Sequence, residues 1–223
     1  MRKYCRLWSV LILMGMIGVG SGCQNGRIDL LSGLQKQAPY TPMEGAFYIN
    51  PEIDLSAMGR VALVELENLT DYPEVGEDLS ESLYIALQKR QYFGLMTVAQ
   101  NDPRWRSLQS PLDANYDADQ LIEMQRVLQC DAILTGSVTQ FKPYPHMNVG
   151  VRIRLIDLRS GELLWGAEQV WDCGDAHVKV GIKYYLQQEI GAEANPLQRN
   201  LISTSPKNFF KFVSYELAQT LES

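Results

Sequence analysis

The chain has 223 residues, 46% hydrophobic and 21% charged, with a formal net charge of −6. That length suits one well-buried domain plus an appendage and excludes two large domains. Without residues 1–22 the balance is 17 basic against 26 acidic side chains, net −9, which excludes a nucleic-acid partner held by phosphate neutralisation.

In chain order, the first 22 residues carry the strongest localisation signal. Arg2, Lys3 and Arg6 form a basic start, Leu7 to Val19 an apolar run, and Gly20-Ser21-Gly22 a small-residue stretch directly before Cys23. The apolar run is too short to cross a bilayer comfortably as a permanent helix. The arrangement resembles a bacterial lipoprotein signal, with Gly20 standing where that signal usually has Leu. The resemblance implies that Cys23 becomes the lipidated first residue of the mature chain, with acyl chains enough for stable anchoring. It also implies an outer-membrane destination, because Gln24 and not Asp follows the cysteine. The alternative is an ordinary secretory signal or an uncleaved anchor.

From Gln24 to about Met58 no period persists. Gly26, Gly33, Pro39, Pro42, Gly45 and Pro51 interrupt the stretch, and Tyr40, Phe47 and Tyr48 offer attachment points on a folded domain. This reads as a tether of about 35 residues, at most ~120 Å fully extended. Val61 to Leu66 then reads as a short apolar strand. A helix follows from about Val75 to Lys89 with Leu79, Leu83, Ala86 and Leu87 on one stripe, and Gly94 to Val98 gives a second strand. Residues 99–116 read as a loop-like insertion in which Arg104 and Arg106 flank Trp105. That triplet either holds a partner by stacking or places Trp105 on the core with solvated arginines beside it. Asp117 to Gln129 is a second helix with Leu121, Met124 and Leu128 on one face and Asp117 or Asp119 as its cap.

Cys130 to Asp172 is the most ordered text in the chain and reads as a β-meander. Ala132, Leu134, Gly136 and Val138 alternate with Ile133, Thr135, Ser137 and Thr139, and Val149, Val151, Ile153 and Leu155 line one face at period two. A Pro-rich corner with Tyr144 and His146 joins the first two strands; Arg159 to Glu162, with Gly161 free for positive φ, joins the next two. Beyond Asp172 a helix is expected from Ala176 to Ile190, with Val180 and Tyr184 on one side. Another starts at Ser205-Pro206 and carries Phe209, Phe210, Phe212, Val213, Leu217 and Leu221. Its aromatic first half serves either core packing or a membrane or partner face.

No catalytic template is present: the sequence has no GxSxG, HExxH, GxxxxGK(S/T) or helix-opening GxGxxG. Two histidines in the whole chain restrict acid–base and metal chemistry, and Cys130, His146, Cys173 and His177 lack the paired spacing of a zinc module. No metal and no cofactor is expected. If Cys5 leaves with the signal and Cys23 is lipidated, Cys130 and Cys173 are the remaining thiols of an oxidising compartment. They form either a disulfide across the ends of the meander or two buried free thiols. An enzyme would have to use Glu65, Glu67 or Asp157.

The run from Val61 to Asn68 ending in Glu-Asn, the segment CDAILTGSV from Cys130 to Val138, and Arg152 to Trp165 (RIRLIDLRSGELLW) together resemble one group of envelope proteins. That group comprises the curli-secretion lipoprotein CsgG, the penicillin-binding-protein activator LpoB and the TolB N-terminal domain, and the likeness covers about Gly59 to Asp172. It implies an α/β fold, a single three-layer-like domain of order β-α-β-α-β-β-β followed by two C-terminal helices. The organisation expected is 1–22 signal peptide, 23–58 tether and 59–223 domain with helical extension. The resemblance further implies a non-catalytic lipoprotein at the inner leaflet of the outer membrane, facing the periplasm and acting through protein–protein contacts. Its candidate partner surface is Arg104, Trp105, Arg106, Tyr144 and His146. Membership of an oligomeric secretion or export assembly is the alternative. The short meander connections argue against a pore, since only the stretch 174–204 is left for barrel strands.

Overall fold

The computed structural model describes residues 40–41, 47–52, 54–108, 116–190 and 196–222. The signal-like segment, Cys23 and most of the expected tether lie outside the described residues. The strands are β1 (Phe47–Ile49), β2 (Arg60–Val64), β3 (Glu67–Asn68), β4 (Gly94–Val98), β5 (Ala132–Lys142), β6 (Asn148–Asp157) and β7 (Leu163–Asp172). The helices are α1 (Val75–Arg90), α2 (Pro103–Leu108), α3 (Ala118–Leu128), α4 (Ala176–Ile190), α5 (Pro196–Thr204) and α6 (Pro206–Gln219).

The strands build one sheet of order β1-β7-β6-β5-β2-β4, with β3 paired to β5. β2 lies parallel to both β4 and β5, whereas β5, β6, β7 and β1 are successively antiparallel. This follows from the connections. Parallel neighbours need a helical crossover, which α1 and α3 provide, and antiparallel ones need only the short meander turns. Gly161 closes the second turn at φ 76, the left-handed region glycine enters without a Cβ penalty. α1 buries Val75, Leu79, Leu83 and Leu87, one residue per turn. α3 starts with a reciprocal capping box between Asp117 and Gln120.

Period-two alternation divides the core in two. Val61, Leu63, Leu134, Ile153 and Trp165 point to the larger cluster, with α1, α4, α5 and α6; Ala62, Val64, Ile133 and Ile156 point to the smaller one, with Trp105 and α3. The expected layers are therefore present. The element order differs from the expected one: β1 and β3 add to the sheet, the insertion after Val98 contains α2, and three helices, not two, follow the meander. Pro196 stands beyond the end of α4 and at the first position of α5, where its missing N–H is no loss. In α4 the buried stripe is Val178, Ile182 and Leu186, and Val180 is exposed. In the stretch 174–204, left open for barrel strands, residues 176–190 and 196–204 are helical, and no helix among the described residues is long and apolar enough to cross a membrane.

α6 decides between core and partner face. Phe209, Phe210, Phe212, Val213 and Leu217 are all at most 1% exposed, so the aromatic half of this helix is core. Replacing Phe212 by Ala should destabilise the domain by about 3–5 kcal/mol, as for other buried phenylalanines, measured by urea unfolding. An unchanged midpoint would mean that the ring faces a partner.

Candidate partner surface

The corner between β5 and β6 is a short loop on fixed roots. Phe141, at the end of β5, packs edge-on against Tyr72 and Phe210, with ring centroids 5.0 and 5.6 Å away. Met147 is buried, and its carbonyl accepts from the Cys173 N–H at 2.9 Å. Between these roots the Tyr144–Pro145 peptide is cis, and Tyr144 stands 85% exposed beside exposed His146. A large aromatic held out on such a base loses little freedom when a partner covers it.

Arg104-Trp105-Arg106 resolves differently. The triplet lies in α2, and Trp105 is 5% exposed within the smaller core, so its ring is not available for stacking. Its flanking arginines are exposed; Arg104 grips Asp102 at 2.7 Å, and that bond holds the Asp102 carboxyl below its usual range. A one-turn helix places Trp105 inward and its neighbours outward because adjacent residues sit about 100° apart.

Cys130 and Cys173 are free and buried. The disulfide reading fails on topology. β5 and β7 run in the same direction on either side of β6, so Cys130 precedes the start of one and Cys173 follows the end of the other. Ten residues of strand separate these ends by ~30 Å, far beyond disulfide reach. The thiols also lie on opposite faces of the sheet. Burial pushes both up to about 11, so they stay protonated and act as small apolar groups.

The carboxylates proposed for catalysis have structural partners or none. Glu65 accepts from the Gln100 N–H at 3.0 Å, and Asp157 accepts from the Arg159 N–H at 2.6 Å inside the hairpin turn. Glu67 is exposed on β3. Among the described residues no group of three or more His, Cys, Asp or Glu side chains converges as a metal site. A groove of about 560 Å³ between α1, α4 and α6 is lined by Ile85, Lys89, Arg90, Tyr185, Lys211 and Tyr215. Lys89 pairs across it with Glu189, and Arg90 lies 5.7 Å from the centre of the Tyr215 ring.

One polar cluster was missed by sequence reasoning. Glu216 is 1% exposed in the middle of α6, and its Oε2 accepts from the Tyr40 hydroxyl at 2.8 Å; its Oε1 has no partner. The Tyr40 ring packs against His177 and Tyr184 of α4 at 5.0 and 5.4 Å. The available signal was an acidic residue between Tyr215 and Leu217 of a helix already rich in Phe. Burial, opposed by the Tyr40 hydrogen bond, pushes the Glu216 carboxyl up to about 7.

No protein-family model matches the chain, and no curated protein sequence does. Among solved structures it is similar to the PelC dodecamer from Paraburkholderia phytofirmans, at 16% identity over 77% of this chain and 94% of the other, TM-score 0.44. It is also similar to lipoprotein GNA1162 from Neisseria meningitidis, at 13% identity over 60% and 99%, TM-score 0.43. A third is LpoB of E. coli, at 18% identity over 75% and 84%, TM-score 0.38. Overlaps this loose leave the function of the chain to its own residues.

Two outcomes test this geometry. Because the folded-state value of Glu216 lies above the unfolded one, its contribution is complete below about pH 4.5 and is lost as pH rises through about 7. The wild type should therefore lose up to about 3 kcal/mol over that window relative to Glu216→Gln, in parallel urea titrations. Reductant should leave the melting temperature unchanged, whereas a drop would require a disulfide.

Proposed function

We propose that this chain is a lipid-anchored cell-envelope protein of the CsgG, LpoB and TolB N-terminal type. It stands on the periplasmic side of the outer membrane, held by Cys23, and works by binding another envelope protein rather than by catalysis. The observation that carries the reading is the β5–β6 corner. Tyr144 is 85% exposed between two buried roots, an arrangement with no use inside the fold. Tyrosine so placed supplies contact area and a hydroxyl at low entropic cost. Exposed Arg104 and Arg106 follow β4, which runs parallel to the start of β5, so they lie toward the same end of the sheet.

The anchor and the surface are tested separately. Cys23→Ala should release the protein from membranes; a variant that stays bound would sink the anchor. A photocrosslinking residue at position 144, in cells, should capture one discrete envelope protein, and Tyr144→Ala should abolish that complex at unchanged melting temperature. Capture of a second copy would replace this reading by self-assembly. Capture of nothing, with an intact complex in Tyr144→Ala, would place the binding surface elsewhere.

A further inference from the structure

Tyr40 precedes the first strand of the sheet yet is seated on the far side of the larger core. Its ring rests on His177 and Tyr184, and its hydroxyl reaches Glu216 on the neighbouring helix. The seat has a shape requirement. At Gly181 of α4 a Cβ would collide with the Tyr40 hydroxyl and lie 2.8 Å from Cζ of the same ring. It would also lie 3.1 Å from Cζ of Phe212. A glycine in mid-helix costs about 1 kcal/mol relative to alanine, and here it opens the slot the phenol occupies.

The polar side of the slot is incomplete. A carboxylate offers about four acceptor positions, and Glu216 has one donor, Tyr40, with Oε1 unpartnered and buried. Among the described residues no lysine or arginine is paired with Glu216. From α4 come His177 and Tyr184; Lys183 lies on the opposite side of that helix from Gly181 by helical spacing. The α1 stripe in the shared core is apolar, with Leu79, Leu83 and Leu87, while Asp78 pairs with Lys207 and Arg90 lies over Tyr215. Tyr215 itself precedes Glu216 on α6.

We propose that the slot between α4 and α6 is a docking site for the Tyr40 phenol, and that the charge on Glu216 decides whether the segment carrying Tyr40 is seated. A protonated Glu216 tolerates the dry slot with a single donor. An ionised one is short of hydrogen bonds there and gains them when Tyr40 lifts and water enters. Seating is therefore complete at acidic pH and weakens as pH rises through about 7, in the direction that burial shifts Glu216. Given the anchor reading, seating shortens the free chain between Cys23 and the domain to residues 24–39. Because β1 stays paired to β7 in either state, its reach falls from ~80 Å to ~55 Å fully extended, which moves the whole partner surface toward or away from the membrane.

Chymotrypsin reads the state directly, because it cuts after tyrosine. Cleavage after Tyr40 in the full chain, in mild detergent, is compared with cleavage of a peptide of residues 36–45 at roughly pH 6 and pH 8. Seating predicts that wild-type protection relative to the peptide falls about tenfold between the two, and that Glu216→Gln stays protected at both. Gly181→Ala, which fills the slot, should be cut at the peptide rate at both pH values while keeping the wild-type far-UV spectrum and a cooperative melt. Equal wild-type protection at both pH values overturns the gating by Glu216. Full protection in Gly181→Ala overturns the slot itself. Neither result depends on whether Cys23 carries lipid.

Discussion

The larger apolar face of the sheet has to be covered, and one helix does most of that. Val149, Val151, Ile153 and Leu155 of β6, together with Trp165 and Trp171 of β7, are at most 1% exposed, and left bare they would form an apolar patch of the kind soluble domains do not tolerate. α6 supplies the cover. Each fully buried Phe, Val or Leu contributes about 1.5–3 kcal/mol of transfer free energy, and α6 places five of them between sheet and outer helices. Its position also explains its neighbours: α1 is apolar along the stripe that enters the same core, and α5 and the turn after α6 close its two ends. The Trp165 indole donates to the Thr220 hydroxyl at 2.9 Å, fixing the exit of α6 to the middle of the meander.

Every residue of α6 from Phe212 to Ala218 is buried, which leaves the polar residues there without a solvated face. Ser214, Glu216 and Thr220 are all buried. Thr220 is satisfied by Leu217 and Trp165, but Glu216 has only a residue from outside the domain's regular elements, Tyr40. The cost of a buried carboxyl is thus carried by a segment that precedes the sheet in sequence. This couples the N-terminal approach of the chain to the centre of its largest core, and it places a titrating group near neutrality where packing alone would have put leucine.

The exposed side chains of the proposed partner surface are presented differently. Tyr144 sits on a short connection between buried Phe141 and Met147, while Arg104 and Arg106 flank buried Trp105 on α2. The two thiols sit inside the two cores and contribute packing only. Nothing in the arrangement brings Glu65, Glu67 and Asp157 together: Glu65 holds the distant Gln100 N–H, Asp157 caps its own turn, and Glu67 faces solvent.

Much of this was legible from local pattern. The meander, the amphipathic stripes of α1 and α3, the Asp117 cap and the Gly161 turn were readable because periodicity, capping and turn chemistry are properties of windows of a few residues. The short signals failed where they compete: Pro196 both ends and begins helices, and a three-residue strand such as β1 has too few residues to show a period. The sequence by itself therefore determined the longer elements and, in the sheet, how their apolar faces alternate. Only the tertiary structure decided that Trp105 points inward, that Cys130 and Cys173 lie at opposite ends of the sheet, that the α6 aromatics are core and that Tyr40 meets Glu216. Each of these depends on which distant surface covers a given face, and that choice is made by burial summed over the whole domain.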